Sequence, residues 1–230
     1  MISIITPLLN EEEYVLPFLD HLGKMEDDFE LILVDGGSLD DTLRLVRENM
    51  TDVGRATILL ETNQGRAVQM NKGAKKAKGD ILLFLHADCF IPHDSIKVIE
   101  REVAVNATIG GAFKQAFTGS HSFLKIVSHF GNLRSGLTST FFGDYGIFLK
   151  KNVFQEIGGY DAAQLLEDVD ICRRAKSHGK LVQIDRYLFT SPRRYLEKGK
   201  LKLTILFILA CIMNFLGRRP RFLVNHIVNR

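Results

Sequence analysis

"LLFLHADCF", Leu82–Phe90, decides how the chain is read. An apolar run that reads as a buried strand ends in His86 and Asp88, two groups that prefer water or a metal ion. The run belongs to a series. Ile2–Thr6, Glu30–Asp35, Ala56–Glu61 and Asp80–Leu85 are short runs rich in Ile, Leu and Val. Segments with apolar residues at helical spacing follow them: Glu11–Lys24, Leu39–Asn49, Arg66–Lys78 and Asp94–Val105. Short strands alternating with helices predict βαβ units over a parallel sheet, and continuous apolar runs predict strands covered on both faces. The rhythm changes after residue 106. Gly110–Phe117 alternates like a half-exposed strand, Tyr145–Lys151 and Leu181–Ile184 read as strands, and His121–Arg134 and Leu166–His178 read as helices. The expectation is one α/β domain with a mixed second half, followed by a helical tail from Gly199.

The 230 residues, 46% hydrophobic and 25% charged, suit one globular core. The net charge of +3 hides an asymmetry. Residues 1–185 hold 20 Lys and Arg against 26 Asp and Glu, a net of −6; residues 186–230 hold 10 against one, a net of +9. A basic tail implies an anionic partner: membrane surface, nucleic acid or phosphate. Cys89, Cys172 and Cys211 are odd in number and far apart, without zinc-ligand spacing, so free thiols in a reducing compartment are expected. "MISIITP" lacks a basic start and a long apolar core, so no secretory leader is read there.

Ligands of open parallel sheets bind beyond the carboxyl ends of the strands. After the four strands of the first half come Thr6, Asn10 and Glu11; Asp35, Gly37, Ser38 and Asp40; Gly65, Arg66, Gln69 and Asn71; and His86 and Asp88. Each cluster has a plainer reading. Ser38 and Asp40 would cap a helix, the glycines make a turn, and a strand-end His or Asp is often structural. Four clusters at one end favour a site. GxGxxG is missing after the first strand and GxxxxGK[ST] is missing altogether, which argues against a dinucleotide-binding or P-loop enzyme. Asp35 suits a base or ribose, Arg66 an anion, and the lone carboxylate Asp88 a divalent ion sharing its shell with phosphate oxygens. The set suits a nucleoside diphosphate with its metal.

These residues resemble the family 2 inverting glycosyltransferases of the GT-A fold. The matching stretches are "SIITPLLNEEEY", "LILVDGGSLDDT", "GRAVQMNKGAKKAKGDILLFLHAD", "FGDYGIFLKKNVFQEIGGYD" and "LLEDVDICRRAKSHGK", in the family's order over most of residues 2–180. "GRAVQMNKGA" resembles a bacterial subgroup. The resemblance implies a Rossmann-like, mostly parallel mixed sheet flanked by helices, with residues 1–106 as nucleotide-sugar-binding half, 107–198 as acceptor and catalytic half, and 199–230 as tail. It implies that Thr6, Pro7, Glu11, Asp35, Gly37, Arg66, Asn71 and His86 bind the donor, a UDP-sugar by preference, and that Asp144 faces the acceptor. Asp88 would hold Mg²⁺ or Mn²⁺ on the diphosphate, and Asp168 would be the general base with Glu167 beside it. Two positions depart from the pattern: His86 stands where an aspartate is usual, and Tyr145 where the subgroup has Gln.

"LKLTILFILACIMNFLG", Leu201–Gly217, is the longest apolar stretch, flanked by basic residues and shorter than a spanning helix. It reads either as an interfacial anchor, which a lipid-linked acceptor and a place at the inner face of the cell membrane would suit, or as a helix packed on the body or on a second protomer. Glu167 and Asp168 read equally as acids favoured at a helix start. Cytoplasmic location and no nucleic-acid partner are expected, and a homodimer is an open reading. Two other functions remain: a sugar-1-phosphate nucleotidyltransferase, whose Gly-rich basic N-terminal loop is absent here, and a non-catalytic nucleotide-sugar-binding scaffold, which His86 keeps open.

Overall fold

Every residue of Ile2–Leu8 and Phe29–Asp35 is buried, as β-branched runs require when helices cover both faces of a sheet. The computed structural model describes residues 1–105, 107–162 and 166–215, the last two by backbone alone. Its strands are β1 (Ile2–Leu8), β2 (Phe29–Asp35), β3 (Ala56–Glu61), β4 (Ile81–Phe84), β5 (Cys89–Phe90), β6 (Thr108–Phe117), β7 (Ile147–Lys150) and β8 (Lys180–Thr190). They form one sheet in the order β3-β2-β1-β4-β7-β6-β8-β5. β1 runs parallel to both β2 and β4, and β2 to β3. β7 is antiparallel to β4 and β6, and β8 is parallel to β6. The expected α/β architecture with a mixed second half is therefore present.

The helices are α1 (Glu12–Gly23), α2 (Thr42–Asn49), α3 (Arg66–Lys76), α4 (Ser95–Ala104), α5 (Ser122–Thr138), α6 (Lys151–Glu156), α7 (Glu167–Ala175), α8 (Arg193–Lys198) and α9 (Lys200–Phe215). Alternate strand residues feed two cores. Ile4, Leu31, Leu33 and Leu83 pack with Val15, Phe18 and Ile96 of α1 and α4. Ile5, Ile32, Val34 and Phe84 pack with Ala67 and Met70 of α3 and with Phe154 and Ile171. β3 departs from the expectation of full burial: it is the sheet edge, and its side chains are exposed or half-buried. α6, α8 and β5 were not legible in the sequence, being too short to show a period.

β1 has its two parallel neighbours on opposite sides, so the chain changes direction between β1 and β4. That crevice, beyond the carboxyl ends, is where a parallel sheet binds ligands. β6 and β8 run the same way as β4 and deliver their carboxyl ends there too. Close strand packing depends on Gly110 and Gly111 in β6: a Cβ at either would run into the backbone carbonyls of Phe148 or Val182. α9 packs against α5 and α8. The basic flank Gly217–Arg221 and the remainder of the tail lie outside the described residues. All three cysteines are free, as expected.

Candidate active site

Beyond the tips of β1 and β4 lies a cavity of about 980 Å³. Pro7, Glu11, Arg66, His86, Asp88, Asp144, Glu167 and Asp168 line it, so eight of the twelve residues singled out in the sequence come together there. A smaller depression of about 340 Å³, by Met1, Asp80 and Lys150, lies at the opposite end of the strands and carries none of them.

The first loops are braced to each other. Glu11 donates its N–H to Thr42 Oγ1 at 2.7 Å, and Leu39 donates to Asn10 Oδ1 at 2.8 Å. Asp35 is buried, and its carboxylate accepts from Gly37 N at 2.7 Å, Ser38 N at 2.9 Å and Ser38 Oγ at 2.5 Å. Gly37 has φ +91°, the left-handed region that glycine enters without steric cost. Asp40 accepts from Thr42 N at the start of α2, which is the plainer, structural role. Gln69 Nε2 brackets the carbonyls of Leu8 and Val34 at 2.7 and 2.8 Å, tying the tips of β1 and β2 together. Four candidates lie off the cavity wall. Thr6 is wholly buried with its hydroxyl unpartnered among the described residues. Asp35 and Gly37 are joined in the turn. Asn71 bonds the backbone of Tyr160 through both ends of its amide, at 2.8 and 2.9 Å, so it fixes the chain that leads to α7.

Asp88 sits between the end of β4 and the short β5, which pairs with the end of β8. Ser191 N donates to Asp88 O at 3.1 Å and holds this turn. Two residues further on, Arg193 bonds both oxygens of Glu11, at 2.6 and 2.8 Å, and lies 3.4 Å from Asp88 Oδ2. Its guanidinium stacks 4.2 Å over the Tyr14 ring. The family resemblance directs Arg193 and Arg194 of "SPRRY" toward the active site and the diphosphate; the partner Glu11, 182 residues away in the chain, is fixed by the fold.

His86, Asp88 and Cys89 place their ligand atoms within 4.8 Å of one another. Burial holds the Cys89 thiol well above its ordinary pKa, its Sγ is directed at Asp88 Oδ1 and Thr190 Oγ1, and a hard divalent cation prefers oxygen and imidazole donors to a thiol. That leaves one carboxylate and one imidazole at the cavity wall. A mixed oxygen and nitrogen pair fits a divalent cation that completes its shell with phosphate oxygens, and Mn²⁺ tolerates such a pair better than Mg²⁺.

Across the cavity, the first turn of α7 presents Glu167 and Asp168. Arg66, at the start of α3, pairs with Glu167 Oε1 at 2.8 Å. Asp168 is differently placed. Its Oδ2 accepts from Gly143 N at 3.0 Å, and its Oδ1 is buried without a hydrogen-bond partner among the described residues. Burial, and then the neighbouring Glu167 charge, push the Asp168 carboxyl up to about 7 against the pull of Arg66. Asp144 is pushed up to about 6 by burial, with the Arg194 charge opposing and Asp88 adding.

A Cβ on Gly143 would lie 2.9 Å from both Asp168 Oδ2 and His86 Nε2, so the two candidate groups meet over a residue without a side chain. Gly143→Ala is expected to displace one of them and lower kcat by an order of magnitude or more, with a stability loss of about 1–3 kcal/mol. Steady-state kinetics and thermal melts of the variant check this.

Helices α5 and α9 supply the outer wall, with Phe130, Phe207 and Ile208 among its side chains. Sequence reading missed the part of α5, whose apolar spacing looks like that of any buried helix.

Residues 3–158 match the model of glycosyl transferase family 2. A "PGL/p-HBAD biosynthesis glycosyltransferase" of Mycobacterium bovis is 32% identical over 221 residues, covering 89% of this chain and 80% of that protein. An "Undecaprenyl-phosphate 4-deoxy-4-formamido-L-arabinose transferase" of Proteus mirabilis is 30% identical over 156 residues, 65% of this chain and 48% of that one. Among solved structures, a mannosyltransferase from Pyrobaculum calidifontis in complex with GDP-Man and Mn²⁺ superposes with a TM-score of 0.70 at 19% identity, covering 89% of this chain. S. aureus TarS in complex with UDP-GlcNAc superposes with 0.66 at 19% identity, covering 83%. The chain spans 60% and 58% of those two structures. On the family match, the relative of 32% identity and the superposition on these structures, this chain belongs to glycosyl transferase family 2 and carries the GT-A fold.

Proposed function

We propose that the protein transfers a sugar from a nucleoside-diphosphate sugar to an acceptor hydroxyl with inversion, and that Asp168 is the general base. The observation that carries this reading is the asymmetry of the Asp168 carboxylate: one oxygen is anchored by Gly143 N, the other is buried and unpartnered. A single displacement needs a base on the attacking face. The acceptor oxygen bonds to the anomeric carbon as its proton passes to Asp168 Oδ1, and the bond to the diphosphate breaks with its electron pair on the leaving oxygen. Glu167 is the weaker candidate because Arg66 already occupies it.

On the leaving side, Asp88 and His86 would hold the divalent cation, which when bound supplies charge neutralisation for the departing diphosphate. Arg193 and Arg194 stand at the same end of β8, where cations favour a leaving anion. Thr6, Pro7, Glu11, Asp35 and Gly37 sit at the tips of β1 and β2 and would shape the nucleoside pocket, which Gln69 braces through the carbonyls of Leu8 and Val34; Asn71 holds the backbone of Tyr160, and Asp144 would face the acceptor. A UDP-sugar is the preferred donor. The name of the Proteus relative supports a lipid-linked acceptor.

A thermal-shift screen with UDP, GDP, CDP and dTDP, each with and without Mn²⁺, tests the donor site. One nucleotide is expected to raise the melting temperature in a metal-dependent way, naming the base. No shift from a folded sample with any of the four overturns the transferase reading and favours a scaffold without a donor site.

A further inference from the structure

The outer wall of the cavity does not end at the cavity. On α5, Phe123, Ile126, Phe130, Leu133 and Leu137 recur at spacings of three and four, forming one stripe, and all five are exposed. On α9, Leu201, Ile205, Ile208 and Ile212 form a second exposed stripe, with Leu209 beside it. The two helices pack on each other, and the cavity opens between them. Leu137 is 78% and Leu133 53% exposed beyond the cavity wall, and they continue the apolar stripe from the cavity onto the open surface, as interaction surfaces do.

The charges say which partner. α5 carries Lys125 and His129 and no acid, its Arg134 being turned inward over the Phe142 ring; α9 carries Lys200 and Lys202 and no acid. A second copy of this chain would bring cation against cation. An anionic lipid leaflet would take the apolar stripes into its acyl boundary and the lysines among its headgroups. Among the described residues no helix is long and apolar enough to cross a membrane.

We propose that the α5–α9 face docks on an anionic leaflet and sets the mouth of the cavity at the lipid surface, so that the acceptor reaches Asp168 as the headgroup of a membrane lipid. The docking stands on the two helix faces alone; the acceptor assignment rests on the transferase reading.

Flotation of the full chain with phosphatidylglycerol-containing vesicles, against phosphatidylcholine alone, tests it. The wild type is expected to float with the anionic vesicles and to be released by salt. Leu133→Glu, Leu137→Glu and Leu209→Glu lie outside the cavity wall and are each expected to weaken partition about tenfold or more while keeping the nucleoside-diphosphate thermal shift. Val105→Glu, at an exposed position after α4, is expected to change nothing. A wild type that stays unbound with both vesicle types overturns the docking, as does a dimer in light scattering that Leu137→Glu dissociates. A wild type that floats without any nucleotide shift supports the docking and strikes only the transferase reading.

Discussion

Asp168→Asn is expected to lower kcat by roughly 10²–10⁴-fold with nucleoside-diphosphate affinity nearly unchanged, because the substitution removes the proton acceptor and keeps the shape. The amide oxygen still accepts from Gly143 N, so the first turn of α7 stays in place. The pH dependence follows from the raised carboxyl. Only the ionised form accepts a proton, so wild-type kcat/KM rises with pH and levels off above about 7.

Stability separates this from misfolding. A carboxyl whose folded pKa lies above its unfolded value binds its proton more tightly in the native state, so its stabilising contribution is lost as pH rises from about 4 to about 7. Removing that charge costs nothing at higher pH, and Asp168→Asn is expected to melt no lower than wild type there. If Glu167→Gln abolishes turnover and Asp168→Asn does not, the base is Glu167 and the Arg66 pair is broken in the working enzyme.

Asp88→Ala is expected to abolish the donor-dependent stabilisation, which for a ligand near 100 times its Kd amounts to about 2.7 kcal/mol. Two groups lose a partner at once: the candidate cation, and Arg193, which lies 3.4 Å from Asp88 Oδ2. The opposite result has a physical meaning too. Arg193 already sets a fixed positive charge beside Asp88 and Glu11. If the nucleotide shift survives in Asp88→Ala and no longer responds to Mn²⁺ in either protein, arginines hold the diphosphate and the carboxylate merely positions Arg193. Melts of Asp88→Ala and Arg193→Ala with and without Mn²⁺ decide between the two.

Periodicity and strand-end chemistry carried the reading a long way. The alternation of apolar runs with helical segments announced the parallel half, and β3 was bounded to the residue. The positions after β1 and β4 singled out Glu11, His86 and Asp88, because four polar clusters gather at one end of the sheet although each alone has a structural reading. Asn71 shows the limit. It lies in the same stretch as Arg66, yet one turns to the cavity and the other to the backbone of Tyr160. Adjacent positions on a helix point 100° apart, and a sequence does not say which direction faces the ligand.

The class of sheet and the end at which the polar clusters gather could be read from local spacing, and the family from the resemblance of motifs whose residues are neighbours in the chain. Which charges meet depends on folding. Arg193 reaches Glu11 and Asp88 because β8 lies parallel to β6 and delivers its carboxyl end at the same rim. Only the tertiary structure left the α5 stripe facing outward. An apolar spacing says that a helix has an apolar side; whether that side is covered depends on neighbours that come from elsewhere in the chain, or from outside it.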